Sequence, residues 1–184
     1  MTTASNKITL GSGLLYLTEF NSTLPTTDEI CVEENRLGYV SGGATLEYKP
    51  TYYTAKDDLG YVSKQIITEE TATLKSGVLT FNGNTLTKLT ETGRVTEEGN
   101  IRTVKIGGVN NSNRKNYCIC FHVKDEADGD VWVMIVGRNE SGFTLSFAKD
   151  KETVIDAEFI CTPMDNEGTL VYYIEEFDDS DISG

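Results

Sequence analysis

Cys118, Cys120 and His122 alternate along YCICFHVK (117–124) and so share one face of a strand. Thiols and an imidazole are ligands for zinc or copper. Such a site needs three or four ligands converging on one point. Alternate residues of one strand stand roughly 6.5–7 Å apart and do not converge, so a buried, inert β-face is the better reading. His122 is the chain's only histidine, which removes His-based triads and any multi-histidine site but this one.

The acidic run DEADGD (125–130) has the composition of a calcium loop. Setting Gly129 at the invariant glycine puts Lys124 at the first ligand position and Ile135 at the last, and neither can coordinate calcium. A turn between two strands explains the run. Glu69 and Glu70 are adjacent, so on a strand they face opposite ways and cannot work as an acid–base pair. GSG (11–13) is too short for a dinucleotide fingerprint and precedes a strand rather than a helix. No Walker sequence occurs. No enzyme, cofactor or metal is expected.

The elements that would position these residues are mostly strands. ITEETATLKSGVLTF (67–81) sends Ala72 and Leu74 to an apolar face and Glu69, Thr71 and Thr73 to a wet one. The parity is expected to shift after Lys75-Ser76-Gly77, with Leu79 and Phe81 then carrying the apolar face, because glycine within a strand often marks a bulge. Strands are also read at 7–10, 14–20, 39–48, 101–108, 117–124, 131–138, 142–148, 154–163 and 169–176. The 131–138 strand, VWVMIVGR, is apolar on both faces and should be central. Residues 21–38 read as a polar connection. Residues 44–68 form a long two-stranded excursion with turn chemistry at Asp58-Leu59-Gly60 and amphipathic Tyr48, Tyr52, Tyr53 and Tyr61. One helix is expected at 84–92, with Asn84 as N-cap, Leu86 and Leu89 on one face, and Gly93 as the stop. Short strands separated by turns predict a mainly β fold, a sandwich or barrel.

The 184 residues suggest one domain at 7–176, with an arm at 1–6 and an acidic tail at 177–184. The net charge of −13 argues against gripping DNA or an anionic membrane, since that affinity is phosphate neutralisation by Lys and Arg. No signal peptide or membrane span is read. Asn21, Asn110 and Asn139 are therefore read as chance glycosylation matches, and the four cysteines as reduced thiols of a cytosolic product.

The run GGATLEYKPTYYTAKDDLGYVSKQIITEETATLKSGVLTFNGNTLTKL (42–89) resembles the major tail tube protein of tailed bacteriophages. KITLGSGLLYLTEF near the start, RTVKIGG (102–108) and GFTLSFAKDKETVIDAEFICTPMDNEGTLVYY (142–173) agree in the same order, so the resemblance covers nearly the whole chain. Its motifs are structural rather than catalytic. The cysteines at 118, 120 and 161 and the acidic end are not part of the family pattern.

The resemblance implies a β-sandwich or partial barrel of two packed sheets, with one short flanking helix and a long protruding hairpin. It implies a virion tail protein assembled in the bacterial host cytoplasm. Hexameric rings would stack into a tube that encloses a tape-measure protein and later conducts DNA without binding it specifically. The partners would be other copies of the chain, the tape-measure protein, and the tail-tip initiator and terminator proteins, with no membrane. A ring of six, with about four strands each, would make a channel roughly 45–50 Å across its backbone. Glu69, Thr71 and Thr73 are candidates to line it; an ordinary solvated sheet face is the alternative. Tyr52, Tyr53, Lys56, Asp57 and Asp58 of the hairpin are candidates for ring-to-ring contact, against a hairpin with no partner. Two further readings stand beside this one: a carbohydrate- or receptor-binding β-sandwich, and the tube protein of a contractile tail or secretion system.

Overall fold

The computed structural model describes residues 12–177. The arm expected at 1–6, the strand at 7–10 and all but the first residue of the acidic tail lie outside them. The described chain runs β1 (Leu14–Glu19), α1 (Thr27–Ile30), a 3-10 turn (Glu33–Asn35), β2 (Arg36–Gly38), β3 (Val40–Lys56), β4 (Ser63–Val78), α2 (Gly83–Lys88), β5 (Arg94–Glu98) and β6 (Ile101–Lys105). A second 3-10 turn (Val109–Asn111), β7 (Tyr117–Val123), β8 (Val131–Asn139), β9 (Ile155–Cys161) and β10 (Val171–Glu175) complete it.

The fold is mainly β. Eight strands form one antiparallel sheet in the order β2-β1-β7-β8-β9-β4-β3, with β10 alongside β8, and β5-β6 form a separate two-stranded sheet. The ends of the large sheet meet. β2 and β3 are one run of chain with only Tyr39 between them, and the first pairs with β1 while the second pairs with β4. The Leu79 N–H donates to the Tyr39 carbonyl at 2.8 Å, and the Tyr39 N–H donates to Thr80 Oγ1 at 2.8 Å. The sheet therefore curls into a sandwich-like partial barrel around one core, which removes most of its open edge. At this seam Gly38 admits no side chain, since a Cβ would lie 2.1 Å from the Thr80 carbonyl oxygen.

Leu15, Leu17, Leu37, Leu74, Val78, Ile119, Ile135, Ile155 and Phe159 fill the core from six strands, and Leu86 of α2 and Leu89 just after it add to it. β8 is central, as its apolar faces require: it pairs with β7 on one side and with β9 and β10 on the other. In β4, Ala72, Leu74, Ser76 and Val78 are buried in unbroken alternation. The expected parity shift at 75–77 is absent. The irregularity sits on the partner strand, where Gly42 and Gly43, with φ of +80 and +73°, bulge between the pairs Ser41↔Gly77 and Ala44↔Ser76. A second register shift leaves Thr68 unpaired, between Thr51↔Glu69 and Tyr52↔Ile67.

Several sequence boundaries need correction. The helix cap is Asn82, not Asn84: its Oδ1 accepts from the Asn84 and Thr85 N–H groups, and Thr85 Oγ1 accepts from the Asn82 N–H. The helix stops at Lys88 rather than 92, with Leu89 as its C-cap, and turns lead from there to β5. Residues 142–148 join no ladder. Their alternation serves packing instead, with Phe143 and Leu145 set against the core. Finally, the connection at 21–38 is not only polar. It holds α1, whose Thr26–Glu29 capping box seats a fully buried Ile30.

Candidate functional site

The candidate contact residues stand on a hairpin that leaves the barrel. Every residue from 51 to 71 is exposed. On its core-side face, Leu46, Tyr48, Tyr52 and Ile67 continue the row of buried side chains past the point where the barrel ends. Tyr53 and Ile66 pair on the opposite face. Leu59, Tyr61 and Val62 crown the tip, each more than 70 % exposed. A ribbon of two strands has no interior, so these apolar groups meet only their cross-strand neighbours and keep their outer surfaces exposed.

Two of the five candidate residues are structural in part. Asp57 builds the turn: its Oδ1 accepts from the Val62 N–H at 2.7 Å, and its carbonyl accepts from the Gly60 N–H at 3.0 Å. Lys56 closes the ladder opposite Ser63. Tyr52, Tyr53 and Asp58 are exposed. Tyr48, one of the four amphipathic tyrosines of the excursion, anchors the base of the hairpin by donating from its hydroxyl to Glu70 Oε1. Its register against Ala72, two residues from Glu70, is invisible in the sequence.

Glu69, Thr71 and Thr73 do share the outer face of β4, the first two exposed and the third half-buried. Across from them lie Thr51, Lys49 and Glu47 of β3. Lys49 pairs with Glu47 at 3.3 Å, and Lys75 with Glu158 of β9 at 3.6 Å. The face is thus mixed in charge, with two lysines among its carboxylates.

The other half of the outer face is covered. Cys118, Cys120 and His122 are buried, as the alternation predicts, and Leu24, Ile30 and Cys31 of the 21–35 connection lie over them. Cys120 Sγ is 3.8 Å from Cys31 Sγ. His122 stacks on Trp132 at 4.8 Å between centroids, and its Nε2 is 2.7 Å from Asp130 Oδ2. Among the described residues no group of three or more His, Cys, Asp or Glu side chains is placed to hold a metal ion. The DEADGD run is the β7–β8 turn, with Asp125 Oδ1 accepting from the Ala127 and Asp128 N–H groups and Asp130 Oδ1 accepting from that of Asp125.

No protein-family model matches the chain, and no curated protein matches it. Among the described residues no helix is long and apolar enough to cross a membrane.

Proposed function

We propose that this chain is a structural subunit that polymerises into a tube, of the kind that forms the tail tube of a tailed phage. The observation that carries the reading is the hairpin from 45 to 71. It projects beyond the core, and its large apolar side chains keep much of their surface exposed. A half-exposed side chain covered by a neighbouring copy contributes roughly half of the ~1.5–3 kcal/mol of full burial. The resemblance to the tail tube family supplies the geometry: rings of six, with this hairpin reaching the next ring. Head-to-tail contacts within a ring close, whereas stacking contacts propagate a filament. Lateral contact would use edges that are open among the described residues, where β10 pairs only with β8 and the hairpin arm of β3 only with β4.

The mixed-charge face bearing Glu69, Thr71 and Thr73 is the proposed channel lining. A surface where each lysine already has a carboxylate neighbour offers little purchase to phosphates. The tube would enclose a tape-measure protein, then pass DNA, and would be built in the host cytoplasm on a tail-tip initiator. A carbohydrate- or receptor-binding module is the second reading, favoured by the exposed Tyr48, Tyr52, Tyr53 and Tyr61. These stand on a ribbon rather than around a cleft, which suits protein contact better.

Negative-stain electron microscopy of the purified protein, with and without a tail-tip complex, tests the proposal. Hollow rings or tubes with six-fold end views are expected. Monomers that persist even with the initiator complex would overturn it.

A further inference from the structure

We propose that Cys31 and Cys120 form a modification site, a thiol pair that small-molecule disulfides convert into an intramolecular bond. The pair is separated by 89 residues in sequence, yet the two sulfurs are in contact at 3.8 Å. Closing to a bond of about 2.05 Å needs a shift of under roughly 2 Å.

The two sides differ in a way that allows it. Cys120 is fully buried in β7, held between β1 and β8. Cys31 is the C-cap residue of α1, half-buried on a connection whose only regular structure is that single turn and the 3-10 turn after it. The connection is nevertheless pinned in place. Ile30 is fully buried, and Asn35 Nδ2 donates to the Ile30 carbonyl at 3.1 Å. The Cys31 sulfur therefore stays beside Cys120 while its own side chain can turn.

The roles follow from the surroundings. Cys31 is the less buried of the two, and the hydrogen bond between the two sulfurs, with a smaller contribution from the Trp132 side chain, holds it below the ordinary thiol range. The same hydrogen bond and burial push Cys120 well above it. Burial alone pushes Cys118 and Cys161 up to about 12, so they stay protonated and unreactive. Cys31 is thus the attacking thiolate. It displaces one thiolate from a small disulfide and becomes a mixed disulfide. Cys120 then attacks Cys31 Sγ and releases the second small thiol, its proton passing to a departing thiolate. One small disulfide is reduced to two thiols, and two protein thiols become one disulfide. The bond would staple the 21–35 connection to the barrel wall. This chemistry is independent of the tube reading; within that reading it would act once a tail leaves the reducing cytosol.

Oxidised glutathione added to the full-length reduced protein tests it. Peptide mapping should find Cys31 joined to Cys120, the intact mass should fall by two hydrogen atoms, and the thermal midpoint should rise and return with dithiothreitol. Cys118→Ser should behave as wild type, and Cys31→Ser should lose both changes. A lasting glutathione adduct on Cys31, a bond through Cys118 or Cys161, or no change in mass overturns the proposal. The wild-type peptide map decides this without reference to any variant.

Discussion

Tyr52 faces Ile67 across the hairpin, and each keeps half of its surface in water, 52 % and 51 %. The pair lies just beyond the register shift at Thr68, on the face that further down is the core. Its exposure separates assembly from folding. Replacing both, Tyr52→Ser with Ile67→Ser, should change the free energy of unfolding by no more than about 0.5 kcal/mol, while tubes disappear from micrographs. Tubes of normal length from this variant would remove the hairpin from the proposed stacking contact.

Salt should promote assembly. Each copy carries a net charge of −13, and stacking brings like charge together. The Debye length shortens from about 10 Å at 0.1 M to about 3 Å at 1 M, which weakens the repulsion while leaving apolar contacts intact. Sedimentation should show more polymer at high ionic strength. Equal or smaller amounts would mean that attraction between charges, not apolar burial, holds the rings together.

The seam at Gly38 should be intolerant of any side chain. Gly38→Ala places a Cβ against the carbonyl of Thr80, a residue just past the end of β4 whose Oγ1 accepts from the Tyr39 N–H. A loss of about 3 kcal/mol is expected in urea unfolding. A variant as stable as wild type would show that the seam can open without cost.

Acid should weaken the β7–β8 turn. The Asp125 N–H, followed by His122, holds the Asp130 carboxyl below its ordinary range. A depressed folded-state pKa contributes stability above the unfolded value and loses it as pH falls through the folded one. The contribution is therefore present at neutral pH and fades below roughly pH 4. Asp130→Asn keeps an oxygen acceptor but loses the charge. Its thermal midpoint should trail wild type at pH 7, and the gap should narrow as the pH falls below roughly 4. A gap that stays constant over that range would place the role of Asp130 in shape rather than charge.

Much of the fold was legible because alternation reports which side of a strand is wet. Ala72 and Leu74 against Glu69, Thr71 and Thr73 announced a core face and an outer face, and both are found. VWVMIVGR announced a strand buried on both sides. The same signal misleads where packing is not pairing. Phe143 and Leu145 alternate like a strand but plug the core from a loop. Short helices carry too few residues for any period, so neither α1 nor the Asn82 cap of α2 is legible in the sequence. The tip of the hairpin is legible in its turn residues, whereas the bulge lies at glycines 42 and 43 rather than at Gly77.

By itself the sequence determined the β class, the central strand, the exposed ribbon and the buried Cys118–Cys120–His122 face. Each follows from local alternation and residue type, which the chain carries at every position. The tertiary structure alone decided that Tyr39 joins the two ends of the sheet, that lysines enter the face of Glu69, and that Cys31 meets Cys120. Those facts depend on register between segments far apart in sequence. Register is set by the whole set of side chains competing for one core, and no short stretch contains it.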